Sequence, residues 1–174
     1  MHNNTIYQGN SVISVEAHPE YSHPVVVKKP SKRQPSRRIL RSLEKEYEMT
    51  RSLNEVEGVR KVLGQQVIKN QPALILEYVE GENLRNTIAG KSLSLHEKLD
   101  IAVDLAHILG GIHQQSVIHL DLNSKNILIV NKNQVIQLID LGSASRIDRS
   151  GHQKVRPDQL LGTRSSCRVD RENR

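Results

Sequence analysis

Val117-Ile118-His119-Leu120-Asp121-Leu122-Asn123-Ser124-Lys125-Asn126 decides how this chain is read. The stretch follows a long helical segment and precedes two apolar runs, ILIV and VIQLI, which flank a polar NKNQ turn. That pattern predicts a β-hairpin folding back around residues 131–134. Residue 126 then lies across from about residue 139, and Asp140 follows at once. Asn126 and Asp140 thus meet at one end of the hairpin and offer oxygen ligands, which suit a hard cation such as Mg²⁺. Asp121, in the same loop, is left to orient a hydroxyl and accept its proton. Gly142, two residues past Asp140, permits a sharp turn there.

Upstream, Ser94-Leu-His-Glu97 reads as a capping box opening the long helix. The apolar face of that helix is expected to be Leu95, Leu99, Ala102, Ala106 and Leu109, spaced at three and four. Earlier still, SRRILRSLEKEYEMTRSL has helical spacing. At about 100° per residue, Ile39, Leu40, Leu43, Tyr47, Thr50 and Leu53 share one arc. Glu46 falls inside this arc, whereas Glu44 and Glu48 fall outside it. An inward carboxylate needs a partner. Lys28, ending the β-branched run Val25-Val26-Val27, is the natural one. Ala73-Leu74-Ile75-Leu76 reads as a buried strand, residues 55–70 as turns and short strands, and Gly81 as a break. Strands, a helix, more strands, a long helix and a hairpin make an α+β chain of two unequal layers.

Composition narrows the class. The 174 residues carry 25 Lys and Arg against 19 Asp and Glu, a net charge of +6, and 36% are hydrophobic, with no Phe or Trp. No apolar run approaches the ~18–20 residues that span a bilayer, and the first ten residues lack the apolar stretch of a secretory signal. The single Cys167 forms no internal disulfide and favours a reducing, cytoplasmic setting. Lys28, Lys29, Lys32, Arg33, Arg37, Arg38 and Arg41 form a basic stripe with no acid among them. No aromatic residue interleaves it to stack on bases, so it reads as a solvated surface rather than a nucleic-acid site.

Together these residues resemble a eukaryotic-type protein kinase domain. VVVKK resembles the strand ending in the ATP-contacting lysine. The resemblance implies that Lys28 holds the α- and β-phosphates and pairs with Glu46. HLDLNSKN resembles the catalytic loop, implying Asp121 as catalytic base and Asn126 on Mg²⁺. IDLG resembles the metal-binding Asp-Phe-Gly element, implying Asp140 as the main Mg²⁺ ligand, with Leu141 filling the apolar slot of the Phe. ILEYVEGENL resembles the hinge between lobes, where backbone groups of Glu77 and Val79 would meet adenine, Leu76 would back the pocket and Leu128 would floor it. Gly162-Thr163 resembles the Gly-Thr before the substrate-facing residues of Ser/Thr kinases. YQGNS, LEKEYEMTRSLN and the Asp-Leu-Asn variant resemble the kinase module at the front of large bacterial multidomain proteins, which add an ATPase and often a sensor histidine kinase.

The implied organisation is an ATP-binding lobe over residues 1–79, a partial lower lobe over 80–163 and an unpatterned basic tail over 164–174. The abrupt loss of pattern after Thr163 suggests an interrupted gene end and a weakly active or inactive chain. Three departures bear on chemistry. Only Gly9 remains of the glycine-rich phosphate loop, Leu120 stands where most kinases have Arg, and Asn123 replaces the catalytic-loop Lys. The implied function is ATP-dependent phosphoryl transfer to Ser/Thr hydroxyls of a protein. A nucleotide-binding pseudokinase or interaction fragment is the alternative, and a small-molecule phosphotransferase a further one.

Overall fold

The computed structural model describes residues 4–130 and 135–147. The NKNQ turn, Gly162-Thr163, Cys167 and the 164–174 tail lie outside the described residues. The α+β expectation holds: a five-stranded antiparallel sheet carries one helix, and a smaller layer of helices and short strands follows.

The sheet consists of β1 (Asn4–Gln8), β2 (Ser11–Glu16), β3 (Val25–Pro30), β4 (Val62–Ile68) and β5 (Gln71–Glu77), in spatial order β1-β2-β3-β5-β4. The β-branched run Val25-Val26-Val27 is central and fully buried, as are Ala73, Leu74 and Ile75 of the neighbouring β5. The β3–β5 register sets Lys28 opposite Leu74 and Val26 opposite Leu76. Lys69 and Asn70 both have positive φ in the two-residue link between β4 and β5, the geometry that matches strand twist in a tight hairpin.

Helix α1 (Arg37–Ser52) is capped by Ser36, whose hydroxyl accepts from the Ile39 N–H. Leu43, Glu46 and Thr50 form its buried stripe, and Leu43 joins Val26, Val62, Leu74 and Leu76 in the core beneath the sheet. Leu40, expected on that stripe, is exposed one turn earlier.

The second layer starts with β6 (Gly81–Asn83) and the short α2 (Leu84–Gly90), which supply structure where only a break was expected. Gly81 is needed because any Cβ there would run into the Ile129 backbone. Helix α3 (Leu95–Gln114) opens on the expected Ser94–Glu97 capping box. Its packed face agrees with the expected one only at Leu109. Ile108 and Ile112 are buried, with Ile101, Leu105 and Leu109 beside them, whereas Leu95, Ala102 and Ala106 point outward. The helix therefore has two apolar stripes, and the one built from Ile101, Leu105, Ile108 and Ile112 covers the hairpin of β8 (Ile127–Val130) and β9 (Ile136–Leu138). A two-stranded ladder of β7 (Val117–Ile118) and β10 (Ser145–Arg146) closes the layer.

Segment 58–60 ties the two layers together. Leu138 N–H donates to Gly58 O at 2.7 Å and Arg60 N–H to Leu138 O at 3.0 Å. Among the described residues no helix is long and apolar enough to cross a membrane.

Candidate functional site

The inward carboxylate on α1 finds the expected partner. Lys28 Nζ lies 2.6 Å from Glu46 Oε1 and 3.2 Å from Asp140 Oδ1. Three elements distant in sequence thus deliver one cation and two carboxylates to a single point. Glu46 is only 5% exposed, which separates it from the exposed Glu44 and Glu48. Burial penalises the Lys28 ammonium, but the fields of Glu46 and Asp140 more than offset it, so its pKa rises and it stays protonated. Burial pushes the Glu46 carboxyl up against the pull of Lys28. For Asp140, burial is outweighed by Lys28 and by the Gly142 N–H, which donates to Oδ1 at 3.2 Å, so its carboxyl is held below the usual range.

The loop after α3 is built on its own hydrogen bonds. His119 is buried; its Nδ1 accepts from the Asp121 N–H at 3.3 Å and its Nε2 sits 3.3 Å from Ile139 O. Asn126 Nδ2 donates to Asp121 Oδ2 at 3.0 Å and to Asp121 O at 2.9 Å. Asn123 Nδ2 donates to Asp121 Oδ1 at 3.1 Å, while its own Oδ1 accepts from the Lys125 N–H. Asp121 is therefore aimed by two amides and remains exposed to an incoming group. Leu120 bridges into this loop at φ 63°.

The hairpin geometry matches the expected register: Ile139 N–H donates to Asn126 O at 2.9 Å. Asn126 and Asp140 thus flank one hairpin end. With the Asn126 amide nitrogen committed to Asp121, its Oδ1 is left for a cation, and Asp140 keeps Oδ2 once Oδ1 is held by Lys28 and Gly142. An amide oxygen and a carboxylate oxygen, with open coordination positions, fit a hydrated Mg²⁺. Leu141 is buried among Leu53, Val59 and Ile108, filling an apolar slot.

The other expected residues sit in the β1–β2 turn, at and just after the end of β5, and on β8. Glu77 ends β5, and its N–H donates to Lys61 O at 3.0 Å. Val79 is half-buried in the connection that follows. Leu128 is buried on β8, opposite Asn83. Gly9 turns the β1–β2 hairpin, where the Tyr7 ring folds over it and leaves no room for a Cβ. Two buried groups escape sequence reasoning. His119 belongs to the quoted loop but has no periodic signal marking it as buried. Arg60 lies in the unpatterned turn before β4, with its Nε sealed from solvent.

A protein-family model described as protein kinase domain matches residues 4–165. The chain is 41% identical over 112 residues to a probable serine/threonine-protein kinase of Dictyostelium discoideum, covering 63% of this chain and 22% of that protein. It is 31% identical over 127 residues to MAP3K epsilon protein kinase 1 of Arabidopsis thaliana, covering 71% of this chain and 9% of that protein. Human myosin light chain kinase family member 4 is 42% identical over 82 residues, 45% of this chain and 21% of that protein. The chain spans less than a quarter of the length of these relatives.

Proposed function

The chain belongs to the protein kinase domain family, and from that premise we propose that it binds ATP and serves phosphoryl transfer to Ser/Thr hydroxyls of a protein. The observation that carries this reading is the meeting of Lys28, Glu46 and Asp140 beside the Asp121–Asn126 loop. Residues 1–79 act as the nucleotide-binding lobe and 80–163 as the start of the lower lobe, with 164–174 as a basic tail. Backbone groups of Glu77 and Val79 meet adenine, Leu128 floors it, and Gly9 lets the β1–β2 turn approach the phosphates. Lys28, held by Glu46, meets the α- and β-phosphates.

Asn126 Oδ1 and Asp140 hold Mg²⁺, which neutralises charge on the phosphates when bound. Asp121 accepts the proton of the substrate hydroxyl as that oxygen bonds to the γ-phosphorus and the bond to ADP breaks. The likeness to the front module of bacterial multidomain signalling proteins rests on YQGNS, LEKEYEMTRSLN and Asp121-Leu122-Asn123, and the single Cys167 supports a cytoplasmic setting.

A thermal-shift titration with ATP, with and without Mg²⁺, tests the reading. A Mg²⁺-dependent rise in Tm that disappears in Asp140→Ala is expected; no shift under either condition sinks it. The single glycine at position 9 and Asn123 in place of a cation favour a second reading, a nucleotide-binding pseudokinase. A shift of equal size without Mg²⁺ selects that one.

A further inference from the structure

One end of the five-stranded sheet collects positive charge from separate parts of the chain. Ser11 pairs with Pro30, Lys28 with Leu74 and Ile68 with Gln71, so the exit of β3 and the β4–β5 turn lie at the same end. Gln71 Nε2 donates to Lys32 O at 2.6 Å, and the Ser31 N–H and Oγ both donate to Asn10 O at 3.1 Å. These bonds hold the segment leaving β3 against the turns on either side. Lys32 and Arg33 are thereby set at the β4–β5 turn, which carries Lys69. Helix α1 opens shortly after Arg33 and adds Arg37, Arg38 and Arg41.

All six are exposed, and among the described residues none of them has an ion-pair partner. The segments that supply them, residues 29–43 and 62–76, contain no Asp or Glu. Elsewhere cations are matched, Lys28 with Glu46 and Asp140, and Lys91 with Glu97. Like charges gathered this way repel one another until a negative partner meets them. Leu40 stands exposed among the arginines of α1 instead of joining the core.

These features choose the partner. The charge is spread over a strand exit, a turn and a helix start, which one flat anionic surface meets together. An exposed leucine among arginines suits the boundary between lipid headgroups and acyl chains. Neither segment contains an aromatic residue to stack on bases. We infer that this end of the molecule is a docking surface for a lipid bilayer bearing negatively charged headgroups. Lys32, Arg33, Arg37, Arg38, Arg41 and Lys69 meet the headgroups, and Leu40 sits at their inner boundary.

Co-sedimentation of the full chain with vesicles of phosphatidylcholine alone, or mixed equally with phosphatidylserine, tests this. The wild type is expected to sediment with the mixed vesicles at low salt, to be released at high salt and to ignore phosphatidylcholine alone. A Lys or Arg near an anionic surface strengthens association about fivefold, so Lys32→Glu with Lys69→Glu should weaken it at least about 25-fold. Arg85→Glu with Lys98→Glu, an equal change of net charge at exposed positions of the second layer, should stay within about threefold. A wild type that does not sediment with the mixed vesicles overturns the inference. Undiminished binding by the sheet-end pair overturns it in favour of charge elsewhere, such as the 164–174 tail, and equal losses in the two pairs overturn it in favour of net charge alone. Displacement from the vesicles by polyglutamate or duplex RNA, at a charge concentration below that of the lipid, overturns it in favour of an acidic protein or a nucleic acid.

Discussion

The sheet with α1 and the outer face of α3 are both written in the same apolar alphabet, yet only one of them is covered. In the sheet, Val26, Leu74 and Leu76 are buried, and α1 closes over them with Leu43. On α3, Leu95, Leu99 and Val103 stand 72%, 55% and 54% exposed. The difference separates the charges that fix the site from the platform that presents it. Lys28 and Glu46 rest on the densely packed layer, where burial strengthens their attraction. Asp121 and Asn126 rest at the end of a helix packed on one stripe only. The two halves of the site therefore differ in what holds them in place.

The largest expected break in this contrast is at Lys28. Lys28→Met removes the cation shared by Glu46 and Asp140 and should weaken ATP binding by about tenfold to a hundredfold, read by calorimetry. Unchanged affinity would place the nucleotide elsewhere. Next comes packing. Leu74→Ala should cost about 3–4 kcal/mol in urea unfolding, whereas Leu99→Ala should stay within about 0.5 kcal/mol. Comparable losses at the two positions would mean that the outer stripe of α3 is covered in solution. Glu46→Ala leaves Lys28 buried with Asp140 as its remaining partner and should cost about 2–3 kcal/mol, less than a buried pair with no substitute. A smaller change, about 1 kcal/mol, is expected for Ser94→Ala at the α3 cap.

What could be read beforehand follows the same divide. Glu46 was legible because α1 carries one apolar arc, so a single carboxylate stands out within it. The α3 face was misread because that helix carries two stripes, and spacing alone gives Leu95-Leu99-Ala102-Ala106 the same claim as Ile101-Leu105-Ile108-Ile112. Packing against Leu138 and Ile136 decides between them, and those contacts come from far along the chain. β6 and α2 escaped because three and seven residues are too few to show a period. The Asp121–Asn126–Asp140 register was legible because a hairpin fixes cross-strand distance once its turn is located. Arg60 was not, since the burial of its Nε is set only by the folded chain.

The smallest expected effect is a pH dependence at the start of α3, on the sparsely covered side of the comparison. Glu97 accepts from the Ser94 backbone N–H at 2.8 Å and from Lys91 at 3.2 Å. The Ser94 N–H, then Lys91, hold its carboxyl down to about 2 from an ordinary 4.5. A depressed carboxylate pKa stabilises the fold above the unfolded value and loses that contribution as pH falls through the folded one. The Glu97 contribution should therefore be complete above about pH 4.5 and fade toward about pH 2. Glu97→Gln keeps a side-chain acceptor for the Ser94 N–H but cannot titrate. The stability gap between wild type and Glu97→Gln should accordingly narrow across that window, as followed by urea unfolding at stepped pH. Parallel acid limbs for the two proteins would show that the Ser94 N–H does not hold the carboxylate in solution, and α3 would then start without its box.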